Sequence, residues 1–265
     1  MAEDFWQNLV RGAQQLMDEL SGKSHAMASQ RTIPVRAILS DFDDVIGDNE
    51  SIIHRSYDQL RTELAGKIDL PDYSVARNYK HHPKQFLDHE LEDFSHREKT
   101  IVYTMGRHIY ESIPMQLVDG AAETLATYHA NRKPWAVVSN NHMTHKRWHE
   151  TGLDKLYPHV PVFDNAHKPS EKSLAKALIK LGQPAGSDVI MVDENWKGLY
   201  AAAKLGLTPV YIGETPHLVL PIVEQECKLN NIPVPNIQIV RNQTELQQLV
   251  VNGINVAPHV AHQHR

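Results

Sequence analysis

Two aspartates separated by a single residue, Asp41 and Asp43, follow the short apolar run in RAILSDFDD. Similar polar groups close three further stretches. Ser139-Asn140-Asn141 follows AVV, Asp193-Glu194-Asn195 follows VIMV, and Lys168 stands just before Pro169. Carboxylates gathered at one edge repel each other unless a cation is present. Oxygen-only donors favour a hard ion, and magnesium commonly takes one or two carboxylates together with waters and substrate phosphate oxygens. A hydroxyl, backbone N–H groups and a lysine are what a bound phosphate needs. An aspartate can attack phosphorus to form an aspartyl phosphate. A second carboxylate two residues on can protonate the leaving oxygen and later activate water.

These groups can cooperate only if the chain brings them to one edge, and the apolar patterning indicates how. Short β-type runs occur at 35–39, 135–138, 160–163, 189–192, 209–212 and 237–240, with helix-type stretches at 120–131, 142–152, 170–182 and 197–205 between most of them. Alternating strands and helices predict an α/β fold, a doubly wound Rossmann-like parallel sheet covered on both faces. Ligands of such sheets bind beyond the carboxyl ends of the strands, where all the polar groups above stand.

Residues 50–117 break the alternation: they carry helix-type segments near 50–65, 83–92 and 96–112 and no apolar strand. An insert of that length predicts a separate small helical domain, here termed the cap, after the first strand of the core. Its aromatics, Tyr73, Tyr79, Phe86, Phe94, Tyr103 and Tyr110, are expected to pack mainly as helical core. The expected organisation is then an N-terminal helix and linker over 1–33, the core over 34–49 and 118–253, the cap over 50–117 and a flexible tail over 254–265.

Composition narrows the function classes. The 265 residues are 41% hydrophobic and carry a net charge of −5, with no concentrated basic run, so neither nucleic acid nor a membrane surface is an expected partner. One cysteine, Cys227, excludes an intrachain disulfide, and no apolar run reaches the roughly 20 residues of a membrane span. With no apolar leader segment visible, a cytoplasmic location is expected. The amphipathic pattern over 3–20 gives a reason to expect a homodimer.

The four motifs together resemble the haloacid dehalogenase-like (HAD) hydrolase superfamily, in its subfamily with a type 1 helical cap. ILSDFDDVI is similar to the first motif, AVVSNN to the second, HKPS to the lysine motif and VIMVDEN to the acidic fourth, in family order over about residues 35–213. The resemblance implies a hydrolase that cleaves a phosphate ester of a small metabolite. Asp41 would be nucleophile and metal ligand. Asp43 would be acid/base and would offer its backbone carbonyl to the metal. Ser139 and the Asn140 N–H would hold phosphoryl oxygens, and Lys168 would offset charge on nucleophile and phosphate. Asp193 and Glu194 would bind Mg2+.

Two departures from the family pattern stand out. Asp44-Val45 replaces the usual Gly-Thr, removing a hydroxyl that often steadies the second aspartate, and Lys197 replaces a second acid of the fourth motif. Other readings of the same scaffold are a phosphonate hydrolase, a phosphosugar mutase, or a non-catalytic binding module.

Overall fold

The computed structural model describes residues 31–79 and 83–256; the helix expected over 3–20 lies outside them. Six strands form one parallel sheet: β2 (Ala37–Ser40), β3 (Trp135–Val138), β4 (Val162–Phe163), β5 (Val189–Asp193), β6 (Thr208–Ile212) and β7 (Gln238–Val240). Their spatial order is β4-β3-β2-β5-β6-β7. The chain starts in the centre at β2, moves outward through β3 and β4, then returns to β5 on the opposite flank. Both neighbours of β2 run parallel to it. The order therefore reverses at β2, which is the switch point where an open sheet forms a ligand crevice.

The strands are buried on both faces, and that explains their unbroken apolar character. Ile38, Val137, Ile190 and Val192 join one cluster, and Leu39, Ala136, Val138 and Met191 join another on the opposite face. Burying an aliphatic side chain of this size contributes about 1.5–3 kcal/mol, so the central strands are the best anchored part of the fold. The helices Ala121–Ala130, Lys172–Leu181, Trp196–Lys204 and Gln243–Asn252 supply much of the packing on the two faces.

Between β2 and the helix Ala121–Ala130 the chain forms a separate helical cluster. The helices Asn49–Leu64 and His96–Ser112 face each other through Tyr57, Leu60, Leu64, Val102 and Ile109. The first begins at Asp48, whose side chain accepts from the Ser51 N–H; the second begins at a reciprocal capping box between Ser95 and Glu98. Short helices Tyr73–Ala76 and Pro83–His89 complete the cluster.

The two chain crossings between cluster and sheet lie side by side. The Asp48 N–H donates to the Gln116 carbonyl (2.9 Å) and the Val118 N–H to the Ile46 carbonyl (2.9 Å). Gly47 sits in this crossing because a Cβ there would stand 2.8 Å from the Phe42 ring and 2.9 Å from the Met115 sulfur. A second clamp is Arg147, fully buried on the helix Thr144–Glu150. Its guanidinium donates to the carbonyls of Tyr110 (2.7 Å) and Ile113 and pairs with Glu150 at 3.0 Å. Carbonyls at a helix C-terminus lack intrahelical donors and carry partial negative charge, so a buried cation suits them.

The ends of the described chain correct one expectation. Residues 31–33 and 254–256 fall in stretches that composition suggests are linker and tail, yet β1 (Arg31–Ile33) and β8 (Ile254–Val256) pair antiparallel. Three-residue strands are too short for a periodic signal. Their pairing is visible only in space, where Gly253 adopts φ +95° with the Ile33 carbonyl too close for any Cβ.

Gly47→Ala is expected to destabilise the protein by about 1–3 kcal/mol, because the added methyl overpacks a junction walled by Phe42 and Met115. Urea unfolding followed by circular dichroism measures this; an unchanged midpoint would show that the crossing has slack.

Candidate active site

The residues singled out in the sequence stand on loops at the carboxyl edge of the sheet, and most of them meet there. Asp41 follows β2, with its N–H donating to the Val192 carbonyl of β5 at 2.9 Å. Asp193 ends β5, and its Oδ1 accepts from the Asn195 N–H at 2.8 Å. Lys168 lies between them, 3% exposed, with its Nζ 3.0 Å from Asp41 Oδ1 and 2.6 Å from Asp193 Oδ2. One ammonium thus bridges the central strand and its neighbour.

The backbone of Lys168 is fixed from β3. The Asn140 side chain accepts from the Lys168 N–H at 2.6 Å and donates to its carbonyl at 3.1 Å. Ser139 is buried, and its hydroxyl accepts from the Asn141 N–H at 3.1 Å, leaving the hydroxyl proton to donate elsewhere.

The fit of a metal ion rests on the carboxylates. Oxygens of Asp41, Asp193 and Glu194 all lie within 4.8 Å of one another. Asp41 Oδ1 and Glu194 Oε2 are buried and accept no hydrogen bond; the lysine approaches Asp41 as an ion pair outside hydrogen-bonding direction. A buried carboxylate oxygen left in this way is costly unless a cation claims it. Three converging carboxylates with only oxygen donors suit magnesium. The Asp43 carboxylate stands apart from this trio, engaged by Asn141.

The electrostatics agree with that fit. Burial pushes Asp41 up to about 7 against the pull of Lys168, with Asp193 and Asp43 adding to the rise. Burial and the neighbouring Asp193 push Glu194 well above its usual range. Burial alone would lower the Lys168 ammonium, but Asp193 and Asp41 hold it above its usual value.

Asp43 is held by a residue that its sequence signal did not single out. Asn141 Nδ2 donates to Asp43 Oδ2 at 2.9 Å and to the Tyr110 hydroxyl at 3.2 Å. Tyr110 in turn donates to Asn49 Oδ1 at 2.8 Å. The amide therefore does the steadying that a hydroxyl at position 45 would do, while Val45 is buried in the main core. Burial raises Asp43 to about 6, opposed by the Asn141 hydrogen bond. The visible hint for Asn141 is the second asparagine of SNN; for Tyr110 and Arg147 the local sequence carries none.

Asp44 also acquires a place. It adopts φ +55°, a left-handed conformation that aspartate tolerates, and its Oδ1 accepts from the Glu50 N–H at 2.8 Å. The glycine expected at this position is thereby replaced by a residue that ties the loop after β2 to the first cap helix. Behind the site, Gly198 is required by close approach: a Cβ there would lie 1.7 Å from Asp193 Oδ2.

The comparisons with known proteins bear on the family and the fold. The haloacid dehalogenase-like hydrolase family profile matches residues 35–206. The chain belongs to that family. No curated protein matches it. Among solved structures, it is similar to a HAD family hydrolase of Deinococcus radiodurans R1 with bound phosphate and sodium, at 19% identity and TM-score 0.63, covering 83% of this chain and 96% of that one. It is also similar to a HAD hydrolase of family IA from Entamoeba histolytica, at 17% identity and TM-score 0.56 over 82% and 98% of the two chains. A β-phosphoglucomutase of Clostridium difficile matches at 17% identity and TM-score 0.53 over 82% and 96%. At these identities the likeness is one of fold.

Two outcomes follow. In the metal-free protein, Asp41 binds its proton more tightly when folded than when unfolded, so its contribution to stability falls as pH rises from about 4 to 7. Magnesium requires the ionised form. Saturating magnesium should therefore raise Tm more at pH 8 than at pH 5.5, and Asp193→Asn should abolish most of the gain; equal shifts at both pH values would contradict the assignment. Separately, Gly198→Ala should weaken magnesium binding at least tenfold by titration calorimetry. The displaced Asp193 carboxylate is held by Lys168 and the Asn195 N–H and has nowhere to relax. Wild-type affinity in that variant would refute the role of Gly198.

Proposed function

We propose that the chain is a magnesium-dependent phosphatase that cleaves the phosphate ester of a small metabolite through an aspartyl phosphate on Asp41. The observation that carries this reading is the buried Lys168 shared by Asp41 and Asp193, beside carboxylate oxygens of Asp41 and Glu194 that accept no hydrogen bond. Asp41 attacks phosphorus, and the bond from phosphorus to the leaving oxygen breaks. Asp43 delivers its proton to that oxygen. Asp43 then takes a proton from water as the water attacks the aspartyl phosphate, and the bond from phosphorus to Asp41 breaks to release phosphate.

A carboxyl raised to about 6 suits both halves, because it is protonated often enough to donate and ionised often enough to accept near neutral pH. In this reading the Ser139 hydroxyl and the Asn140 backbone N–H, in the loop after β3, receive phosphoryl oxygens, and Lys168 offsets their charge. Magnesium, held by Asp41, Asp193 and Glu194 with the Asp43 backbone carbonyl, would neutralise charge on the phosphoryl group as it transfers.

The test is turnover of a phosphate-ester panel with and without magnesium, beside two variants. Asp41→Asn should abolish turnover. Asp43→Asn should lower kcat by about 10²–10⁴, the usual span for a general acid/base, and should let a phosphoenzyme accumulate in acid-quenched samples. No magnesium-dependent turnover above the Asp41→Asn background on any member would sink the proposal.

A further inference from the structure

The helical cluster walls a partly open cavity of about 350 Å³. That is within the range of small-ligand pockets, near its lower end. Its wall includes the rings of Tyr57, Tyr73, Tyr79, Phe86 and Tyr110, with Leu60, Leu87 and Val102 between them. Two lining residues tie it to the chemistry. Tyr110 shares the Asn141 amide with Asp43, and His142 comes from the loop after β3 that also carries Ser139. The cavity thus begins one hydrogen-bonded residue from the acid/base.

Five of its lining hydroxyls are already committed to the fold. Tyr57 donates to the Pro71 carbonyl at 2.8 Å, Tyr73 to Glu50 at 3.1 Å, Tyr79 to Glu90 at 2.7 Å and Tyr110 to Asn49 at 2.8 Å. Ser56 donates to the Ile53 carbonyl at 2.9 Å. Each hydroxyl carries one proton, so none of these five can donate to a ligand without breaking a bond that holds the cap together. The charged lining residues are clustered: Arg107 pairs with Glu111 at 2.7 Å, and His142 stands 3.8 Å from the same carboxylate. A sugar ring placed here would give up water for a wall in which five hydroxyls have no proton to offer, leaving only exposed donors, among them Tyr103 and Arg107. Unpaired buried hydroxyls are what polar-lined sites use to reject a wrong ligand. An apolar ring or alkyl chain loses nothing of the kind and gains contact with aromatic faces.

We propose that this cavity takes the organic part of the substrate and that this part is an aryl or alkyl group, not a polyol. The substrate class is then an apolar phosphate monoester, with its phosphate at Asp41 and its leaving oxygen beside Asp43. This rests on the phosphatase reading for the chemistry, but the cavity's preference is a binding property and can be measured without turnover.

The experiment is titration calorimetry of the full chain with magnesium, using two phosphonates that lack the ester bond. Phenylphosphonate should bind at least tenfold more tightly than 2,3-dihydroxypropylphosphonate. Ala76→Phe, which places a ring in the cavity from the helix Tyr73–Ala76, should reduce that ratio at least fivefold, as should the milder Leu87→Gln. The magnesium-induced Tm shift serves as the check that each variant is folded with its carboxylate site intact. Equal affinity for the two phosphonates, or a ratio unmoved in either folded variant, would overturn the inference and mark the cavity as a packing void. Selective phenylphosphonate binding without turnover of any ester would overturn the phosphatase reading and leave the cavity's preference standing.

Discussion

A single ammonium holds the centre of this molecule together. Lys168 is buried between Asp41 and Asp193, and a third carboxylate, Glu194, lies close enough to share an ion with both. Burial raises Asp41 and Glu194, and with one positive charge against three acids the neighbouring carboxylates add to that rise. Removing the lysine would leave buried carboxylates with no partner, a loss that typically costs about 3–5 kcal/mol for a broken buried pair. The same imbalance creates affinity for a cation. The fold tolerates this imbalance, and a bound cation would relieve it.

That arrangement explains several features of the backbone. The sheet order places the ends of β2 and β5 next to each other, so Asp41 and Asp193 are neighbours by topology before any side chain chooses a rotamer. Lys168 arrives from the far flank on a loop clasped by Asn140, and Gly198 lets the next helix press against Asp193. Each of these residues limits where the charges can go. A long, flexible lysine would otherwise gain by moving toward water, and its fixed backbone is what keeps that escape closed.

How much of this could be read from the chain depended on whether the signal was local. The six parallel strands and the cap helices announce themselves by apolar runs and by spacing, since a strand buried on two faces must be apolar throughout. Asp41, Ser139, Lys168, Asp193 and Glu194 were legible because each stands directly after such a run or before a proline. The pairing of Arg31–Ile33 with Ile254–Val256 was not legible, because two three-residue strands carry no periodicity and meet across the whole chain. Asn141 and Tyr110 were hidden for a related reason: an asparagine after a strand and a tyrosine on a helix each have a common structural role, and only their 3.2 Å contact makes them a pair. Arg147 looks like a helix-surface cation in sequence, yet the fold turns it inward onto the carbonyls at the end of a cap helix.

The replacement at position 45 has a consequence beyond bookkeeping of hydrogen bonds. A hydroxyl there would steady Asp43 from its own loop, independently of the cap. Here the steadying group is Asn141, and the second hydrogen of its amide is engaged by Tyr110 at the end of the cap helix His96–Ser112. Tyr110 is itself gripped, its carbonyl by Arg147 and its ring beneath the same guanidinium at 5.2 Å. Asp43 is thus linked through two side chains to the element that walls the cavity. Any movement of the cap that carries Tyr110 away also frees one half of the Asn141 amide and loosens its aim at Asp43. In this chain the position of the Asp43 carboxylate and the seating of the cap are a single coupled variable, and Val45 is the residue that makes them so.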